Sequence, residues 1–101
     1  MAPDDQIVHG ITSPGRYDSP VTTAEHARRL LQTAMPDAVE LPPAVTASPY
    51  PNPPPGCRKW YQLHPPEPGV GHVRPHFKYA DWTQGKKGAG GKWGHIDIES
   101  R

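Results

Sequence analysis

His72, Arg74, His76 and Lys78 stand at alternate positions in one short segment of a 101-residue chain. In an extended strand, alternate side chains share a face. One strand face therefore presents two imidazoles and two cations, while Val73, Pro75, Phe77 and Tyr79 line the apolar opposite face. The segment after it sorts the same way. Ile96 and Ile98 belong with the core, and Trp93, His95, Asp97 and Glu99 with the other face. If the two segments pair, His95 and Asp97 come near His76 and Arg74.

Imidazoles, cations and a carboxylate on one sheet face suit RNA cleavage without a metal. The 2′-hydroxyl needs a general base and the departing 5′-oxygen a general acid, and histidine does either near neutral pH. Lys or Arg offsets the charge that grows on the phosphorane oxygens. His76 and His95 are the expected acid/base pair. Arg74, Lys78 and Lys87 are the expected phosphate clamps, and Asp97 is placed to orient a histidine.

A zinc site built from His72, His76, His95 and Asp97 is the rival reading. His72 and His76 are separated by roughly 13 Å of strand at about 3.3 Å per residue, too far for one ion without a bend. A zinc-deaminase signature needs a second cysteine, and Cys57 is alone. No metal and no cofactor are expected.

The loop Thr83–Lys92 carries four glycines and three lysines. It lacks the Walker pattern. Lys86, Lys87 and Lys92 are expected to meet an RNA backbone together with His72. Trp82 and Trp93 flank the loop, where an aromatic beside a cation suits base stacking and also core packing.

These residues need elements to position them. Thr22 and Glu25 read as a capping box, followed by an apolar stripe of Ala24, Ala27, Leu30, Leu31 and Ala34 at helical spacing. Pro36 ends that helix, expected over residues 21–36. Residues 1–20 read as an extended arm. Residues 37–56 read as a proline-rich connector, with seven prolines between positions 42 and 55. The Pro51–Pro54 spacing also permits an SH3-type ligand. Residues 57–101 read as an antiparallel sheet, with strands at 58–64, 72–81 and 93–99 and a hairpin between the last two. Pro75 places the middle strand at an edge or beside a bulge. The expected fold is a single small α+β domain: one N-terminal helix and an antiparallel sheet of three or four strands.

Composition narrows the classes further. No apolar run approaches the 18 residues of a membrane helix, so no membrane partner is expected. Fifteen prolines among 101 residues exclude a coiled coil. Eight aromatic residues and a net charge of only +1 argue against disorder. Residues 1–56 hold three basic against six acidic residues, and residues 57–101 eight against four. The second half is the one expected to meet an anion. A non-enzymatic nucleic-acid-binding module and a proline-rich adaptor are the alternatives.

The stretch Pro75-His76-Phe77-Lys78-Tyr79-Ala80-Asp81-Trp82-Thr83-Gln84-Gly85-Lys86-Lys87-Gly88, followed by Gly91-Lys92-Trp93-Gly94-His95-Ile96, resembles C-terminal effector domains of bacterial polymorphic toxins. Many of these belong to the barnase, EndoU, colicin and RelE-like ribonucleases, whose sheet face cuts RNA without metal. The resemblance implies a monomeric ribonuclease domain of a secreted effector, acting in the cytoplasm of a target cell. RNA, with tRNA among the candidates, is the implied substrate. An acidic immunity protein covering the basic face is the implied partner.

Overall fold

The computed structural model describes residues 3–43, 56–66, 74–86 and 88–99. Among the described residues, two helices and five strands follow in the order α1 (Pro3–Thr12), β1 (Gly15–Thr22), α2 (Ala24–Ala34), β2 (Val39–Glu40), β3 (Lys59–His64), β4 (His76–Asp81) and β5 (Lys92–Ile98). The class is α+β as expected, but the sheet is neither small nor antiparallel. Five strands run in the order β1-β5-β4-β3-β2. The inner pairs β3–β4 and β4–β5 are antiparallel. Each edge strand joins its neighbour in parallel, β1 on β5 and β2 on β3.

Both parallel strands and one helix come from segments expected to be irregular. The N-terminal arm is instead α1 and β1. Asp4 and Asp5 sit in the first turn of α1, where carboxylates favour the helix N-terminus. Ile7 and Ile11, one turn apart, bury its inner side. Pro20 lies within β1, and the edge position of β1 tolerates it because one side of the strand makes no ladder bonds. The connector region contributes β2.

The helix expected over 21–36 spans Ala24–Ala34, and its cap is one residue later than Thr22. Thr23 Oγ1 accepts from the His26 amide at 3.1 Å, so the box of Thr22 and Glu25 does not form. Thr22 ends β1 instead.

The helices cover one sheet face. Ile7, Ile11, Ala27, Leu30, Leu31 and Met35 pack on Tyr61, Phe77, Tyr79, Ile96 and Ile98. The expected alternation thus holds for Phe77, Tyr79, Ile96 and Ile98. Pro75 lies outside β4, which is central rather than at an edge. The Pro75 carbonyl accepts from the Ile98 amide at 2.8 Å as β4 begins. Gly94 is needed where β1 meets β5, because a Cβ there would collide with the Tyr17 carbonyl. Among the described residues no helix is long and apolar enough to cross a membrane.

Candidate active site

The sheet face turned away from the helices carries the candidate site. Alternation along each strand and the inter-strand register resolve it into rows. The first row is Trp60, Ala80, Trp93 and Arg16, read from β3 to β1. The next is Gln62, Lys78, His95 and Asp18. The third holds His64, His76 and Asp97.

The first row is mainly apolar. Trp60 and Ala80 bury against Leu41, with Cys57 and Trp82 packed on the cluster. At the β1 end, the Arg16 guanidinium lies over the Trp93 ring, 5.4 Å from its centroid.

The imidazoles of three neighbouring strands lie side by side across the next rows. His64 and His76 stack with centroids 5.7 Å apart and planes 16° apart. His76 meets His95 edge-on at 5.4 Å. The rings of His76 and His95 come together as the sequence suggests, and the face around them is largely buried. His76 is 0% exposed and His64 1%, whereas His95 retains 9%. His95 is therefore the imidazole of the three most accessible to a ligand.

Two hydrogen bonds fix the proton positions on these rings. Asp18 Oδ1 lies 3.1 Å from His95 Nδ1. A carboxylate accepts, so Nδ1–H donates, and neutral His95 carries its lone pair on Nε2. The Arg74 carbonyl lies 2.9 Å from His76 Nδ1 and fixes the same tautomer there. Asp18 also accepts from Arg16, with Oδ2 3.0 Å from Nε. The bonds form a line Arg16–Asp18–His95.

Asp18, Arg16 and His64 escape sequence reasoning. Asp18 and His95 are 77 positions apart, and only the parallel β1–β5 register joins them. His64 ends the first expected strand and carried a signal, because Gln62 and Trp60 precede it at alternate positions. Asp97, expected to orient a histidine, lies opposite His76 in register, and the carboxylate on His95 is Asp18.

The other expected residues separate. Lys78 lies opposite His95 and is half-buried. Arg74 precedes β4, exposed, and orients His76 through its backbone carbonyl. Lys92 projects from the helix-covered face, opposite Asp81 and Gly15, away from His95. Lys86 is exposed in the β4–β5 turn, where its carbonyl accepts from the Ala89 and Gly91 amides. Trp82 closes over Gly91 and the second hydrophobic cluster, which gives it a packing role. Trp93, on β5, stands on the His95 face at the β1 end of the first row, opposite Arg16. His72, Lys87 and the Pro51–Pro54 segment lie outside the described residues.

Among the described residues, no group of three His, Cys, Asp or Glu side chains could hold a metal ion. Cys57 Sγ donates to the Lys59 carbonyl at 3.3 Å and lines a shallow pocket with Val39 and Arg58, on the far side of the sheet edge from β1. Comparison of the chain with protein-family models, curated proteins and solved structures finds no match.

Proposed function

We propose that this chain is a metal-independent endoribonuclease domain of the toxin type. The observation that carries the reading is the Asp18–His95 bond, with a second imidazole at 5.4 Å and Lys78 next to His95 in register. A carboxylate that holds Nδ1–H leaves Nε2 as the base and stabilises the imidazolium formed when it takes a proton.

The chemistry follows from that tautomer. Nε2 of His95 takes the proton of the ribose 2′-hydroxyl while the 2′-oxygen attacks phosphorus. A bond forms from phosphorus to the 2′-oxygen, and the bond to the 5′-oxygen breaks. The imidazolium of His95 returns the proton to the departing oxygen. The products are a 2′,3′-cyclic phosphate and a 5′-hydroxyl, and the step needs no co-reactant. Lys78 supplies positive charge beside the phosphorane. His76, fully buried, acts on His95 as a positioning residue and does not touch substrate.

The toxin part of the reading rests on the likeness of residues 75–96 to polymorphic-toxin effector domains. It carries with it secretion into a target cell and an acidic immunity partner.

Cleavage of RNA in EDTA tests the reading. The unchanged protein is expected to cut, and His95→Ala to lose about 10²–10⁴-fold in rate while staying folded. Intact RNA in the presence of folded protein overturns the ribonuclease. Expression inside bacteria tests the toxin: growth arrest that His95→Ala abolishes is expected, and unimpaired growth overturns it.

A further inference from the structure

Resting on that reading of the site, we propose that Arg16 is the residue that grips the RNA phosphate, held ready by Trp93 and Asp18. Parallel pairing puts Arg16 opposite Trp93 and Asp18 opposite His95, so the guanidinium stands one row from the catalytic imidazole. Two contacts from different sides restrain it. Its Nε donates to Asp18 at 3.0 Å, and its guanidinium lies over the Trp93 ring at 5.4 Å. The Asp18 bond uses one of five guanidinium donors, and the planar fork of the terminal amino groups matches two phosphate oxygens.

Of the two cations on the rows of Trp93 and His95, Arg16 is the exposed one and Lys78 is half-buried. The Arg16 side chain is 50% exposed, beside a His95 side chain at 11%. An exposed ion pair of this kind contributes little to stability, so a phosphate can share the guanidinium with Asp18 at small cost. Cation–ring contact holds a planar guanidinium in place in a way that an ammonium does not reproduce.

The charges on this face sharpen the expectation. Arg16 and Lys78 stand against Asp18 and Asp97, so fixed charges balance on these rows. A broad positive field therefore does not draw RNA here. Binding depends on a local fork, and few phosphates are neutralised. Each phosphate contact on a single strand contributes about −0.7 to the slope of log affinity against log salt.

A 2′-O-methyl oligoribonucleotide, which has no 2′-hydroxyl nucleophile, serves as the probe. The unchanged protein is expected to bind it with a shallow salt slope. Arg16→Ala is expected to weaken binding by about tenfold to a hundredfold and to flatten the slope by about 0.7, the share of one phosphate. Arg16→Lys, which keeps the charge and loses the fork, should recover only part of the loss. Unchanged affinity and slope in folded Arg16→Ala overturn the inference even if unmodified RNA is cut. Failure of the unchanged protein to bind overturns it as well. Arg16-dependent binding without cleavage of unmodified RNA leaves this inference standing and removes the ribonuclease.

Discussion

Asp18 Oδ1 and His95 Nδ1 meet at 3.1 Å between the first and last strands of the sheet, although 77 positions separate the two residues. The contact exists because β1 runs parallel to β5 and sets Asp18 against His95 in register. Asp18→Asn keeps the shape and removes the charge. An amide can accept from Nδ1–H through its oxygen or donate to Nδ1 through its nitrogen, so the tautomer is no longer fixed. RNA turnover in EDTA should fall about a hundredfold or more in kcat, with KM little changed. A variant that cuts at the original rate would show that Asp18 does not set the His95 tautomer.

The same pairing makes a stability prediction at Gly94. A Cβ at this position collides with the Tyr17 carbonyl and presses on the Tyr17 amide nitrogen at 3.0 Å. The obstructing atoms are backbone in a paired strand, so no side-chain rotation relieves them. Gly94→Ala should lower unfolding free energy by about 3 kcal/mol, the upper end for overpacking. Urea unfolding measures it. Because β1 carries Asp18 and Arg16, the variant should lose RNA cleavage along with stability.

The parts that sequence revealed were local. Alternation placed Phe77, Tyr79, Ile96 and Ile98 on one face and His76, Lys78 and His95 on the other, since strand period depends only on neighbouring residues. The β4–β5 hairpin was legible from its glycine-rich turn. The edges of the sheet were not. Residues 1–20 read as an arm, and β1 accommodates Pro20 at the sheet edge, where its register with β5 shifts between Ser19 and Thr22. β2 has two residues, too few for any period to show. Gly10 lies inside α1 and lets the Tyr17 ring pack against the helix, where a side chain would collide. Charge balance in the half-sequences points the second half toward an anion. It could not show that His64 and His76 stack on each other and are buried.

Thr23 caps α2 through the 3.1 Å bond to the His26 amide. Thr23→Ala leaves that donor without its side-chain acceptor and should cost about 1 kcal/mol. The core of α2 depends on Leu30 and Leu31 and not on the cap, so the fold should survive. Thermal or urea unfolding reads the loss. A cost near zero would place the effective cap elsewhere, at Thr22.

Alkaline pH should destabilise the fold through Tyr79. Burial is the largest cause that holds its hydroxyl proton well above the ordinary tyrosine range, and the Asp18 carboxylate adds to it. The hydroxyl donates to the Tyr17 carbonyl at 3.3 Å. In the unfolded chain the same phenol ionises near pH 10. Between that value and the higher folded one, the unfolded state has released a proton that the folded state keeps. Stability is then fully present below pH 10 and falls by about 1.4 kcal/mol per pH unit above it. Tyr79→Phe removes this contribution. At pH 8 the variant should be slightly less stable than the unchanged protein, since a long hydrogen bond is lost. By pH 11 the gap should close or reverse. Paired urea titrations at the two pH values isolate the effect, because lysine deprotonation affects both proteins alike. An equal decline in the two would show that the Tyr79 proton does not differ between folded and unfolded states.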